Sequence, residues 1–173
     1  MSARRDDAIG LAAEYLDSGR FEEILARRVA HRTESQLLPD SLPALRAYLD
    51  DELVPSFDSI GFTTKLYENP VAGAPPALLA ERHEGADLPT VLSYGHGDVI
   101  VGQDGRWTRG DGPWRLERHG DRLYGRGTAD NKAQNKINML AIEAATVAAG
   151  GALGCNVKYL IEMGDEAGSA GLE

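Results

Sequence analysis

The stretch Leu123–Lys132, reading LYGRGTADNK, restricts the possible folds more than any other part of the chain. A short apolar run ends in two glycines, the chain turns, and Asp130 stands immediately before a long helical pattern. Strand, turn and helix in that order form the unit of open α/β folds. The order aims one carboxylate out of the carboxyl end of a sheet, where such folds place their ligands. Taken alone, Asp130 reads first as a helix N-cap, because aspartate satisfies the free N–H groups of a first turn.

The segments around this stretch support an α/β reading. Asp6–Asp17 and Phe21–His31 carry apolar stripes at helical spacing (Ile9, Ala13, Leu16; Phe21, Ile24, Leu25, Val29), with Gly19 between them. A third helix is expected from Ser41 and Pro43, with Leu42, Leu45, Leu49 and Leu53 on one side and Pro55 ending it. Short β-rich runs follow at Phe62–Tyr67, Ala77–Arg82 and Thr90–Tyr94, then a hairpin over Arg115–Tyr124 turning at Gly120–Asp121. Asn131–Ala149 predicts the longest helix, with Ile137, Leu140, Ala141, Ala144 and Ala148 facing the core and Lys136, Glu143 and Thr146 opposite, stopped by Gly150–Gly151. Val157–Met163 predicts a buried strand. The expected fold is a three-layer α/β sandwich around a mixed, mostly parallel sheet, with the glycine-rich segment Gly102–Gly112 as a surface excursion.

Length and charge remove whole classes of function. The chain has 173 residues, 42% of them hydrophobic, which suits one domain with a real core. Its formal charge of −9, without a Lys/Arg block, argues against nucleic acid as a partner. No apolar run approaches the roughly 20 residues of a membrane span, and the N-terminus lacks a signal-peptide core, so a cytoplasmic location is expected. Cys155 is the only cysteine, which excludes an internal disulfide. The chain stops at Glu173, just after a loop ready to open another helix, so a fragment of a longer domain is expected.

Three groups could carry chemistry. His96 and Asp98 lie in SYGHGDV after the run Thr90–Tyr94; side chains two apart in extended chain share a face, so the Asp98 carboxylate can orient the imidazole. Asp165 and Glu166 follow the strand Val157–Met163, where adjacent carboxylates repel and one is pushed toward protonation unless a cation intervenes. Each group alone is also explained by a solvated turn or a capped loop. Together with Asp130 they all sit just beyond strand ends, which three unrelated caps would not require. Histidine plus carboxylates, with no thiolate, suits catalytic zinc, manganese or cobalt, and one aspartate can bridge two such ions about 3.5–4 Å apart. GRGTADNK lacks the spacing of a nucleotide-binding loop. Arg126 lies near enough in sequence to pair with Asp130. His31, His83 and His119 read as surface or structural residues.

GHGDV, GRGTADNK and GDEAGS, in that order, resemble the di-zinc amidohydrolase and exopeptidase family of aminoacylase, acetylornithine deacetylase, succinyl-diaminopimelate desuccinylase, glutamate carboxypeptidase and carnosine-type dipeptidases. The resemblance covers the second half of the chain and implies a zinc-exopeptidase-like fold, with residues 1–173 as the N-terminal part of its catalytic domain. It implies His96, Asp130 and Glu166 as metal ligands, with Asp130 the bridge between two divalent ions, zinc first and cobalt or manganese as alternatives. Asp98 would orient His96, and Asp165 would be the general acid/base that activates water against an amide carbonyl; the family usually has glutamate there, one methylene longer. Val99, Ile100 and Val101 also depart from the proline-bearing segment that often follows the first motif. A cis Asp130–Asn131 peptide is implied, as are a small peptide or N-acyl amino acid substrate and a homodimer. A further acidic ligand, a late histidine and an inserted lid domain have no counterpart in residues 1–173, so this piece alone is expected to bind metal weakly and to be inactive. The competing expectation is a non-catalytic homologue or inactive fragment that keeps the fold alone.

Overall fold

A computed structural model describes residues 2–172. Helices α1 (Ser2–Asp17) and α2 (Arg20–Ala30) lead into α3 (Leu42–Tyr48), α4 (Val54–Ser59) and strands β1 (Thr63–Tyr67), β2 (Ala77–Arg82) and β3 (Thr90–His96). After the excursion come a small hairpin, β4 (Glu117–His119) with β5 (Arg122–Tyr124), then α5 (Ala133–Ala148) and β6 (Asn156–Glu162).

The main sheet has the order β1-β2-β6-β3. It is mixed, but the parallel share is smaller than expected: β1–β2 and β2–β6 are antiparallel, and only β3–β6 is parallel. Parallel neighbours need a crossover, and α5 supplies it between β3 and β6. The register sorts the faces. Leu66, Leu78, Ala80, Val157, Tyr159 and Ile161 point one way, into a core closed by Leu45, Tyr48, Leu49, Leu53 and Phe57 from the α3–α4 segment and Met139 from α5. Leu92, Tyr94, His96, Lys158, Leu160 and Glu162 point the other way. Among the described residues helices cover the first face only, so two of the three expected layers are present. A second cluster, Tyr15, Phe21, Leu25, Val29 and Ala133, joins α1 and α2 to the start of α5.

Two expectations about helices are corrected. Pro55 does not end the third helix, because the preceding turn, Leu49–Leu53, widens: the Val54 N–H reaches Leu49 O, five residues back. That turn makes room for the proline ring, and Pro55 then sits in the first turn of α4, where its missing N–H costs nothing. On α5 the buried stripe is rotated from the one expected. Ile137 is exposed, whereas Lys136 is buried with its ammonium 4.7 Å from the Tyr15 ring and its methylenes under α1.

Candidate metal centre

The parallel pair β3–β6 sets the site. Its register places His96 beside Glu162 at the carboxyl ends of both strands, and the next residues of each carry the remaining groups. Close approach of α5 to β3 fixes the first of them: a Cβ at Gly95 would run into Asn135 Oδ1, and with glycine there Asn135 Nδ2 donates to His96 O at 2.8 Å. Asn135 is held in turn by the Tyr159 hydroxyl at 3.0 Å, which accepts from Asn138.

His96 is buried and meets carboxylates at both ring nitrogens. Nδ1 lies 3.2 Å from Asp98 Oδ1, and Nε2 lies 2.9 Å from Asp130 Oδ1 and 3.8 Å from Asp165 Oδ2. Burial alone would lower the imidazole pKa, but Asp98, followed by Asp130 and Asp165, reverses this and holds it at about 9. Asp98, fully buried, accepts on its other oxygen from the Ser35 hydroxyl at 2.5 Å and from the backbone N–H of Glu166 at 3.0 Å. One carboxylate therefore ties the imidazole to the loop after β6.

Asp130 lies in a widened turn, Thr128–Lys132, that precedes α5. Its φ of −127° and ψ of 99° are extended, and no side-chain cap bond is made there, so Asp130 faces His96 and does not cap the helix. Lys132 anchors the turn from below: its buried ammonium donates to Arg28 O at 2.8 Å and His31 O at 2.7 Å, the last carbonyls of α2 and its C-cap. Burial, then the Arg28 charge, push this ammonium down to about 7.

His96, Asp130 and Glu166 each offer one ligand atom, and these lie within 4.8 Å of one another. The Glu166 carboxyl is raised above the ordinary carboxylate range by burial and then by the Asp130 charge, as expected where acidic groups crowd without a cation. Asp165 is steadied on the outer side by the Tyr94 hydroxyl, 2.9 Å from Oδ1, and that hydroxyl also bonds Glu162. Burial and these two carboxylates raise the Tyr94 pKa. Ser169 donates to Glu162 at 2.9 Å.

Residues 92–173 match the family described as Peptidase family M20/M25/M40. The Beta-Ala-His dipeptidase of Mus musculus is 39% identical over 100 residues, which cover 57% of this chain and 20% of that protein. The family match takes in 82 of the 173 residues, a little under half of the chain. An acetylornithine deacetylase of Erwinia tasmaniensis is 40% identical over 76 residues, 44% of this chain and 19% of that protein. The crystal structure of human carnosine dipeptidase 1 superposes with a TM-score of 0.85 and 28% identity, over 96% of this chain and 36% of the other. The matched stretches thus span about a fifth of the curated relatives and roughly a third of that solved chain.

The other four residues singled out from sequence, Asp98, Asp130, Asp165 and Glu166, lie around His96, and the Asp130–Asn131 peptide is cis. The expected Arg126–Asp130 pair is not formed; the Arg126 guanidinium instead donates to Gly102 O at 3.3 Å and lies over the Trp107 ring. His31, His83 and His119 stay outside the cluster. Sequence reasoning missed Tyr94 and Glu162. A signal existed for both: Tyr94 shares a strand face with His96, and Glu162 is a charge within an apolar strand, costly unless used. Ser35 and Lys132 gave no such signal.

Proposed function

We propose that this chain belongs to the peptidase M20 family and is part of a metal-dependent hydrolase of amide bonds in small substrates, dipeptides or N-acyl amino acids. The observation that carries the reading is the convergence of His96, Asp130 and Glu166, from three motifs far apart in sequence, onto one point with ligand atoms within 4.8 Å. The names of its relatives, a dipeptidase and a deacetylase, supply the substrate classes.

The donor set fits a divalent ion. Its atoms are nitrogen and oxygen, the imidazole presents Nε2 inward because Asp98 takes Nδ1, and the carboxylates of Asp130 and Glu166 supply the negative charge that a cation would neutralise. Zinc is the first choice, with cobalt or manganese next. His96 would bind one ion and Glu166 the other, with Asp130 shared between them. When bound, such ions polarise a carbonyl and lower the pKa of water. Asp98 would act by fixing the imidazole. Asp165 would act as the proton-transfer group: Tyr94 holds its Oδ1, while Oδ2 faces the cluster 3.8 Å from His96 Nε2. Asp98 and Asp165 thus serve the reaction without being ligands.

The full-length gene product, loaded with zinc, is assayed for metal content and for release of amine from dipeptides and N-acyl amino acids, with and without a chelator. Asp130→Asn is expected to lose both bound metal and turnover, and Asp165→Ala to keep metal while losing turnover by about 100-fold or more. Chelator-insensitive hydrolysis, or full activity in Asp165→Ala, would overturn the assignment.

A further inference from the structure

Beside the metal cluster, the excursion and the hairpin enclose a groove of about 340 Å³ lined by Arg106, Arg109 and Arg126, with Trp107 and Tyr124 as its aromatic walls. From this geometry we infer a subsite for a carboxylate group, set beside the hydrolytic centre so that it receives the acidic end of an amide substrate. The inference rests on the hydrolase reading for the identity of the ligand, but not for the existence of the site.

Four observations support it. First, among the described residues none of these three guanidiniums has a carboxylate within ion-pair distance, although the chain has 27 acidic residues against 18 basic ones. The acids of the excursion and the hairpin strand are engaged elsewhere: Asp104 with Arg32 at 3.7 Å, Asp111 with Arg115, and Glu117 with the Asp111 N–H at 2.8 Å. Second, two of the guanidiniums are shelved on rings. Arg109 lies 5.2 Å from the Tyr124 centroid and donates to its hydroxyl at 3.5 Å, and Arg126 lies 5.6 Å from that of Trp107 and donates to Gly102 O at 3.3 Å, so each is held in place on neutral partners with its charge unpaired. Third, Arg126 Nε is shielded from solvent and makes no hydrogen bond, so the guanidinium at the edge of the groove carries a buried donor that no protein acceptor satisfies. Fourth, Arg126 also lines the neighbouring cavity that contains Asp130 and Glu166, which makes the groove and the metal cluster adjoining compartments.

Glutarate and inorganic phosphate serve as probes, added at constant ionic strength with chloride as the control, and the Trp107 indole N–H is followed by NMR in metal-free protein. Glutarate should give a saturable shift that chloride does not. The exposed pair Arg106→Gln/Arg109→Gln should weaken it about tenfold or more with an unchanged melting temperature. Stronger binding of glutarate than of phosphate supports a carboxylate subsite. A non-saturable shift, equal binding in the double variant, or a preference for phosphate would overturn it. Because the measurement needs neither metal nor turnover, its failure would leave the hydrolase reading intact, and loss of that reading would leave an observed binding isotherm standing.

Discussion

Asp98 spends both carboxylate oxygens inside the protein, one on the His96 imidazole and one on the Ser35 hydroxyl and the Glu166 backbone. Asp98→Asn replaces one acceptor by a donor and removes the charge that fixes the tautomer. Metal affinity should fall about 10–100-fold, measured by competition with a colorimetric chelator. This pairing was legible in the sequence because His96 and Asp98 are two apart in extended chain. The second half of the Asp98 interaction was not, since Ser35 and the loop at Glu166 reach it only through the tertiary fold. Arg126 shows the opposite error: proximity in sequence to Asp130 was no guide, because the ring of Trp107 and the carbonyl of Gly102 hold the guanidinium elsewhere.

At the level of elements, the joint between β3 and α5 is the tightest constraint on the site. Gly95→Ala would force Asn135 aside, break its bond to His96 O and disturb Tyr159 behind it. The expected cost is about 1–3 kcal/mol in urea unfolding, with metal affinity reduced as well, and Asn135→Ala in the same background should recover part of the stability. Strand positions could be read from β-branched and apolar runs punctuated by Gly and Pro, and β2 has the bounds expected of it. The order of the strands could not, because pairing depends on which connections cross the sheet. The face of α5 was misjudged for a related reason. Periodicity ranks side chains by polarity, but the long apolar stem of Lys136 lets it lie under Tyr15 while Ile137 faces out.

For the whole molecule, the buried lysines make stability depend on pH on the alkaline side. Burial, and then the Arg28 charge, lower the Lys136 ammonium to about 8 from an ordinary value near 10.5. Between those values the unfolded chain binds the extra proton, so this residue contributes a penalty that is complete below about pH 8 and fades as the pH rises. The difference in unfolding free energy between the parent and Lys136→Met should therefore move in favour of the parent from pH 7.5 to 10, as read from parallel denaturant titrations. A constant difference across that range would show that the ammonium is not desolvated in the folded protein.

The bond from Asp98 to the Glu166 backbone has one more consequence. Because a single side chain grips the imidazole on one hand and the post-β6 loop on the other, neither motif can drift independently during evolution. An insertion between Met163 and Gly168 would tug the histidine out of aim before it altered any charge, so length changes in the two loops should be tolerated only as matched pairs.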